Sequence, residues 1–131
     1  MDPKVEKLFQ KKNLIFIATI NPDGSPQLTP VWGNYNDNHI LINTAEGRIK
    51  HKNVQKDPRV AVSVVDHDNP LNMTTIRGKV VQIISDYDYS HANELTKQYM
   101  GINEYPYKRE NEKRIIIKIK PEKIFVMPDI A

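Results

Sequence analysis

The spacing of apolar positions changes period several times along the chain, and each change marks an element. Val5, Leu8 and Phe9 fall at i, i+3 and i+4 among lysines, which predicts a short helix over residues 3–12 with Pro3 in its first turn. Residues 14–20 (LIFIATI) are β-rich and almost continuously apolar, the pattern of a strand covered on both faces. Asn21-Pro22-Asp23-Gly24 supplies turn residues, and residues 26–35 predict the returning strand, with Pro30 marking a bulge or an edge position. Asn36-Asp37-Asn38 turns the chain again into residues 39–44, so that three successive antiparallel strands predict a meander.

Gly47 breaks that pattern. Residues 48–56 then read as a helix, halted at Asp57-Pro58 because a residue before proline disfavours the α region. Strands are predicted at 59–65 and 73–84, with Gly78 inside the second suggesting a bulge or a barrel bend. Residues 86–100 form the longest helix candidate, with Ala92, Leu95, Tyr99 and Met100 on one stripe and Gly101 placed to cap it. Residues 66–71 and 104–113 are polar loops; strands at 114–120 and 123–127, separated by Pro121, end the chain. Seven strands, three helices and short turns predict a mainly β, α+β fold: an antiparallel barrel with helices at its ends, in one domain over residues 1–131.

Composition narrows the class of protein. No apolar run approaches the roughly 20 residues that span a bilayer, and the opening Met1-Asp2-Pro3-Lys4 lacks a signal-peptide core, so a cytoplasmic protein is expected. The chain has no cysteine, which excludes disulfides and thiolate metal sites. His39, His51, His67 and His91 form no metal-binding pattern. Asp66, Asp68, Asp86 and Asp88 occur in i, i+2 pairs that suit turns and helix caps better than catalysis. The net charge of +3 is too mild to argue for nucleic acid by itself. Its distribution says more: Arg48, Lys50, Lys52, Lys56 and Arg59 stand against the single acid Asp57.

The candidate chemistry lies where a strand gives way to that basic helix, from Thr44 through Glu46-Gly47-Arg48 to Lys50, Lys52 and Asn53. The first turn of a helix has unpaired N–H groups and a partial positive charge, both of which favour an anion. Arg48 can fork onto two phosphate oxygens, and Thr44 can add a hydroxyl. Arg48 and Lys52 share a face if both are helical, whereas Arg48 and Lys50 converge only if Arg48 still lies in the turn, as expected here. A solvated basic helix is the plain alternative. Cations in a first turn oppose the helix dipole, however, and that favours an anion-binding role. Trp32, the sole tryptophan, suits either core filling or the wall of a slot for a planar ring. No nucleophile–base pair accompanies these residues.

Taken in order, Ala18-Thr19, Pro22-Asp23-Gly24-Ser25-Pro26, Pro30-Val31-Trp32, Thr44, Arg48-x-Lys50-x-Lys52-Asn53 and Asp57-Pro58-Arg59-Val60-Ala61 resemble the pyridoxamine 5′-phosphate oxidase-like superfamily. The chain looks closest to the superfamily's short deazaflavin-dependent branch, with the resemblance firm from residue 13 to about residue 81. The resemblance implies a split β-barrel homodimer with two sites at the subunit interface for FMN or the deazaflavin coenzyme F-420. It further implies an oxidoreductase that moves hydride to or from a small organic substrate, with the cofactor carrying the chemistry. Similarity places phosphate-binding residues at Arg48 and Lys50 with Lys52 and Asn53 alongside. It places ring neighbours at Thr29, Pro30, Val31, Trp32, Asn43 and Thr44, and a partner-subunit contribution at Arg77. The family's oxidases proper carry a further C-terminal segment that grips the substrate's phosphate; the chain ends at Ala131 without one, so vitamin B6 oxidation is not the expected activity. The competing readings are a non-catalytic cofactor- or haem-binding module of the same fold and, more remotely, a nucleic-acid-binding barrel.

Overall fold

The computed structural model describes residues 1–129. Helix α1 (Pro3–Gln10) starts where the Asp2 carboxylate accepts the Lys4 N–H at 2.8 Å, and it buries Val5, Leu8 and Phe9. Seven strands follow, β1 (Ile15–Ile20), β2 (Pro26–Val31), β3 (Gly33–Asn36), β4 (His39–Ala45), β5 (Arg59–Val65), β6 (Met73–Ser85) and β7 (Arg114–Val126). Helix α2 (Ile49–Lys56) links β4 to β5, and helix α3 (Ser90–Met100) lies between β6 and β7.

All neighbouring strands pair antiparallel in one sheet of order β2-β1-β5-β6-β7-β4-β3. The two edge strands, β2 and β3, are consecutive in the chain and joined by Trp32 alone. Two peptide steps reach at most about 7–8 Å, so the edges must meet at Trp32 and the sheet must curl into a half-barrel. The Asn43 N–H donates to the Trp32 carbonyl at 3.2 Å, which ties β4 to that corner. The core inside the curl is built from Ile15, Ile17, Ile40, Ile42, Val62, Val64, Ile76, Ile117 and Ile119, closed at one end by α1.

This corner corrects the expected meander. The single strand predicted over residues 26–35 is two strands at opposite edges of the sheet. Only one residue separates the two strands, so no turn of the usual length marks the break. The two final strands are likewise one continuous β7. Pro121 does not interrupt it but pairs with Gly78 at a register shift, leaving Glu122 as the extra residue of a bulge. The last departure concerns β1. It alternates between the core and an outer face, on which Phe16 is 38% exposed.

Candidate functional site

Beside the Trp32 corner lies a cavity of about 350 Å³ lined by the ends of β2 and β4, the start of α2, one side of α3 and the loop over residues 101–113. Of the residues singled out from the sequence, Pro30, Val31, Trp32, Asn43, Thr44, Arg48 and Lys50 line it. Thr29 points to the inside of the curl opposite Ile17, where its Oγ1 is buried with no hydrogen bond among the described residues. Lys52 is exposed on α2. Asn53 is buried, and its Nδ2 donates to Thr19 Oγ1 at 3.0 Å and to Asn21 Oδ1 at 2.9 Å, pinning α2 to β1 and the turn that follows. Arg77 lies elsewhere, on the outer face of the sheet, with its guanidinium 5.1 Å from the Phe125 ring centre.

The basic end of the cavity follows from how α2 begins. Gly47, with φ of +84°, turns the chain after β4, and its N–H donates to His51 Nδ1 at 3.0 Å. Arg48 is the N-cap residue with extended backbone (φ −64°, ψ 156°), so the helix proper starts at Ile49 and no side chain caps it. Arg48 therefore sits in the turn, and it and Lys50 reach the same cavity. Arg114, at the start of β7 opposite Ala45, joins them. The Glu112 carboxylate lies 3.5 Å from Arg48 Nη2 and 3.0 Å from Arg114 Nη1, and Lys50 has no ion-pair partner among the described residues. Burial, with Arg48 and then Arg114 adding repulsion, pulls the Lys50 ammonium below the usual lysine range. Three cations against one carboxylate leave a positive excess in a half-buried place, which an anion would relieve.

The wall opposite is apolar and rigid. Trp32 stacks on Tyr99 with ring centres 5.0 Å apart and planes 2° from parallel. The Tyr99 hydroxyl donates to the Asn13 carbonyl at 2.7 Å and accepts the Gly33 N–H at 3.4 Å, and burial pushes its pKa up to about 12. Ala92 and Leu95 of α3, Leu14, Tyr105 and Tyr107 complete the lining. Tyr105 is held by its N–H to Asn93 Oδ1 at 2.8 Å and meets Tyr107 edge-on at 5.7 Å.

Behind this wall runs a buried polar chain that the sequence did not suggest. The Asp86 carboxylate accepts the N–H groups of His91 (2.8 Å) and Ala92 (2.9 Å), capping α3, and accepts Asn43 Nδ2 at 2.9 Å. Asn43 Nδ2 also donates to His91 Nδ1 at 2.9 Å, and His91 Nε2 donates to Asn34 Oδ1 at 2.9 Å. Asn34 in turn donates to Glu94 at 3.3 Å. Burial is the main cause that lowers the His91 pKa to about 4, with Asp86 opposing and Arg114 assisting. The imidazole is therefore neutral at pH 7, as its acceptor role at Nδ1 requires. Apart from Asn43, which the resemblance already places beside the ring, these residues have a bland place in the sequence, either in a strand or at a helix start, and no spacing links Asn34, Asn43, Asp86, His91 and Arg114.

The family model described as pyridoxamine 5′-phosphate oxidase matches residues 1–127. Among solved structures, an F420 reductase is 29% identical, with a TM-score of 0.82 over 91% of this chain and 94% of its own. HupZ of Group A Streptococcus is 19% identical, with a TM-score of 0.68 over 100% of this chain and 97% of its own. General Stress Protein 26 of Bacillus anthracis is 18% identical, with a TM-score of 0.68 over 93% and 89%. At those last two identities the likeness is one of fold alone. With the match running through every strand and helix from α1 to β7, the chain belongs to the pyridoxamine 5′-phosphate oxidase family.

Proposed function

We propose that the cavity at the Trp32 corner binds a flavin-type cofactor, FMN or F-420, and that the protein is an oxidoreductase acting on a small organic molecule. The observation that carries this reading is the pairing of an under-neutralised cationic end with a stacked aromatic wall in one cavity. Arg48 and Lys50 would hold the phosphate at the open first turn of α2, and Trp32, backed by Tyr99, would support the tricyclic ring. When bound, such a cofactor supplies the hydride chemistry. The chain's own part is to bind, orient and keep water from one face of the ring, which needs no acid–base side chain. The 29% identical F420 reductase favours the deazaflavin, while a phosphate site beside an aromatic wall suits FMN as well.

Fluorescence titration with FMN and with F-420 tests the reading. Arg48→Ala is expected to weaken binding of whichever cofactor the wild type takes by about 10- to 100-fold, the loss of one or two charge-assisted hydrogen bonds. Unchanged affinity in that variant would sink the assignment. A Soret band on haem addition, with no uptake of either flavin, would support the haem-binding alternative instead.

The cofactor reading also calls for a second copy of the chain. On the outer face of the sheet, Leu28 is 63% exposed; it pairs with Ala18, which pairs in turn with Ala61. Phe16 lies on the same face and pairs with Pro30, and Pro30 lines the cavity. The cavity thus opens at the rim of an uncovered apolar surface, where a second copy would wall it and bring its own Arg77 near. Sedimentation is expected to give a dimer, and Leu28→Glu, which costs the isolated fold little because the side chain is exposed, a monomer with weakened cofactor binding. A wild-type monomer that binds cofactor fully would overturn this part. No helix among the described residues is long and apolar enough to cross a membrane.

A further inference from the structure

We infer that Arg114 is a third arm of the anion site, set in place before the ligand arrives by Glu112, Asn43 and Tyr105, and that it grips the same phosphate as Arg48 and Lys50. This rests on the cofactor reading above and assigns to that site a residue far from the Arg48–Lys50 stretch in sequence.

The guanidinium of Arg114 is fixed on three sides. Its Nε donates to Asn43 Oδ1 at 2.9 Å, its Nη1 donates to Glu112 Oε1 at 3.0 Å, and its Cζ lies over the Tyr105 ring, 5.1 Å from the ring centre. Its side chain is only 11% exposed, yet Nη2 makes no hydrogen bond to any described residue, and the residue lines the cavity. Nη2 is not sealed away from solvent, since Thr29 Oγ1 alone among the described side-chain atoms is buried without a partner, so this edge of the fork opens to the cavity, where an anion can reach it. Here the unmatched edge belongs to a residue that shares its cavity with Arg48 and Lys50, and no acid is among the side chains lining that cavity.

The fixation is directional. Asn43 is an amide that could present either oxygen or nitrogen to Arg114. The Asp86 carboxylate accepts one hydrogen of Asn43 Nδ2, which fixes the amide, and His91 Nδ1, 2.9 Å away, takes the other in the tautomer that leaves it unprotonated. Only Oδ1 is then left for Arg114 Nε. Asp86 and His91 are positioning residues in this sense: they act on the ligand through Asn43 and Arg114. Tyr105 adds a flat cation–π surface that keeps the fork from swinging toward the loop, and its ring rather than its hydroxyl does this.

The test separates phosphate contacts from ring contacts. Dissociation constants are measured for FMN and riboflavin, and for F-420 and its phosphate-free deazaflavin chromophore. The readout is the ratio of phosphate-free to phosphorylated constants. Arg114→Gln is expected to lower that ratio about tenfold or more while leaving the phosphate-free constant within about twofold. Tyr105→Phe is expected to keep the wild-type ratio and Tyr105→Leu to lower it. Should Arg114→Gln fail to fold, Arg114→Lys carries the test, since it keeps the charge but loses the fork and the stacking; its ratio is expected to fall about threefold or more. A ratio unchanged in the folded Arg114 variant, or equal weakening of both ligand forms, overturns the proposal. If Arg48→Ala lowers the ratio and Arg114 variants do not, only Arg114 is reassigned. If the wild type shows no preference for the phosphorylated form, the cofactor reading itself fails.

Discussion

Gly78→Ala is expected to destabilise the protein by about 3 kcal/mol or more, read as a lower midpoint in urea unfolding. A Cβ at this position would stand 2.4 Å from the carbonyl oxygen of Lys120 and 3.1 Å from Ile119 Cγ2. The first of these atoms is backbone and cannot swing aside. It belongs to β7, which is laddered to β6 on one side and to β4 on the other, so a local retreat would disturb pairings such as Ile40 with Ile119 as well as Val80 with Ile119. The close approach exists because the bulge at Glu122 bends β7 over β6 where the half-barrel curls. Gly24→Ala is the control: φ is +86° there but nothing lies within 4 Å of the added carbon, so only the left-handed backbone cost of about 1 kcal/mol is expected. Equal, small losses in the two variants would show that the sheet can relax at the bulge.

That bulge also shows what could be read from the sequence. A glycine inside a long β-branched stretch signals a backbone approach, and Gly78 is one. Proline near the end of the chain was the opposite kind of signal. Pro121 reads as a break because proline removes a ladder donor, but a bulge needs no donor there, and β7 runs on. The sheet order lay beyond periodicity altogether. Alternation tells which face a residue takes, not which strand lies beside it, so residues 26–35 gave no hint that one residue, Trp32, carries the chain from one edge of the sheet to the other.

The site divides along the same line. Thr44, Arg48 and Lys50 were legible because the strand end, the turn and the helix start are contiguous, and local chemistry at a helix N-terminus follows from sequence order. Placing Arg48 in the turn was decisive for bringing Lys50 beside it. Arg114 was passed over because its basic neighbours are interleaved with Glu110 and Glu112, the look of a solvated strand. Only the pairing of β7 with β4 puts it across from Ala45 and next to Asn43. Asp86 was read as a cap and is one, and the same carboxylate also sets the orientation of Asn43. A residue's second duty is invisible when its first already explains its place.

The buried chain carries a pH dependence whose sign is fixed. His91 has a folded-state pKa of about 4 against an ordinary value of 6.5, because burial in front of Arg114 penalises the imidazolium more than Asp86 favours it. A histidine depressed on folding contributes stability that is fully present above the unfolded value and is lost as pH falls, since the unfolded chain takes up a proton that the folded chain refuses. The loss spans pH 6.5 down to about 4 and amounts to about 3 kcal/mol. Acid below pH 4 would also protonate Nδ1 and remove the acceptor that turns Asn43 toward Arg114. Asp23, Asp57, Asp66 and Asp88, each held below the usual carboxylate value by local hydrogen bonds, act at still lower pH and are common to any His91 variant. Urea unfolding at intervals from pH 7 to pH 4.5 should therefore show wild-type stability falling more steeply than that of His91→Gln, whose amide can accept from Asn43 and donate to Asn34 without titrating. Parallel profiles would mean that the folded protein accepts the proton near the ordinary histidine pKa, and that neutral His91 is not what holds the amide of Asn43 in its orientation.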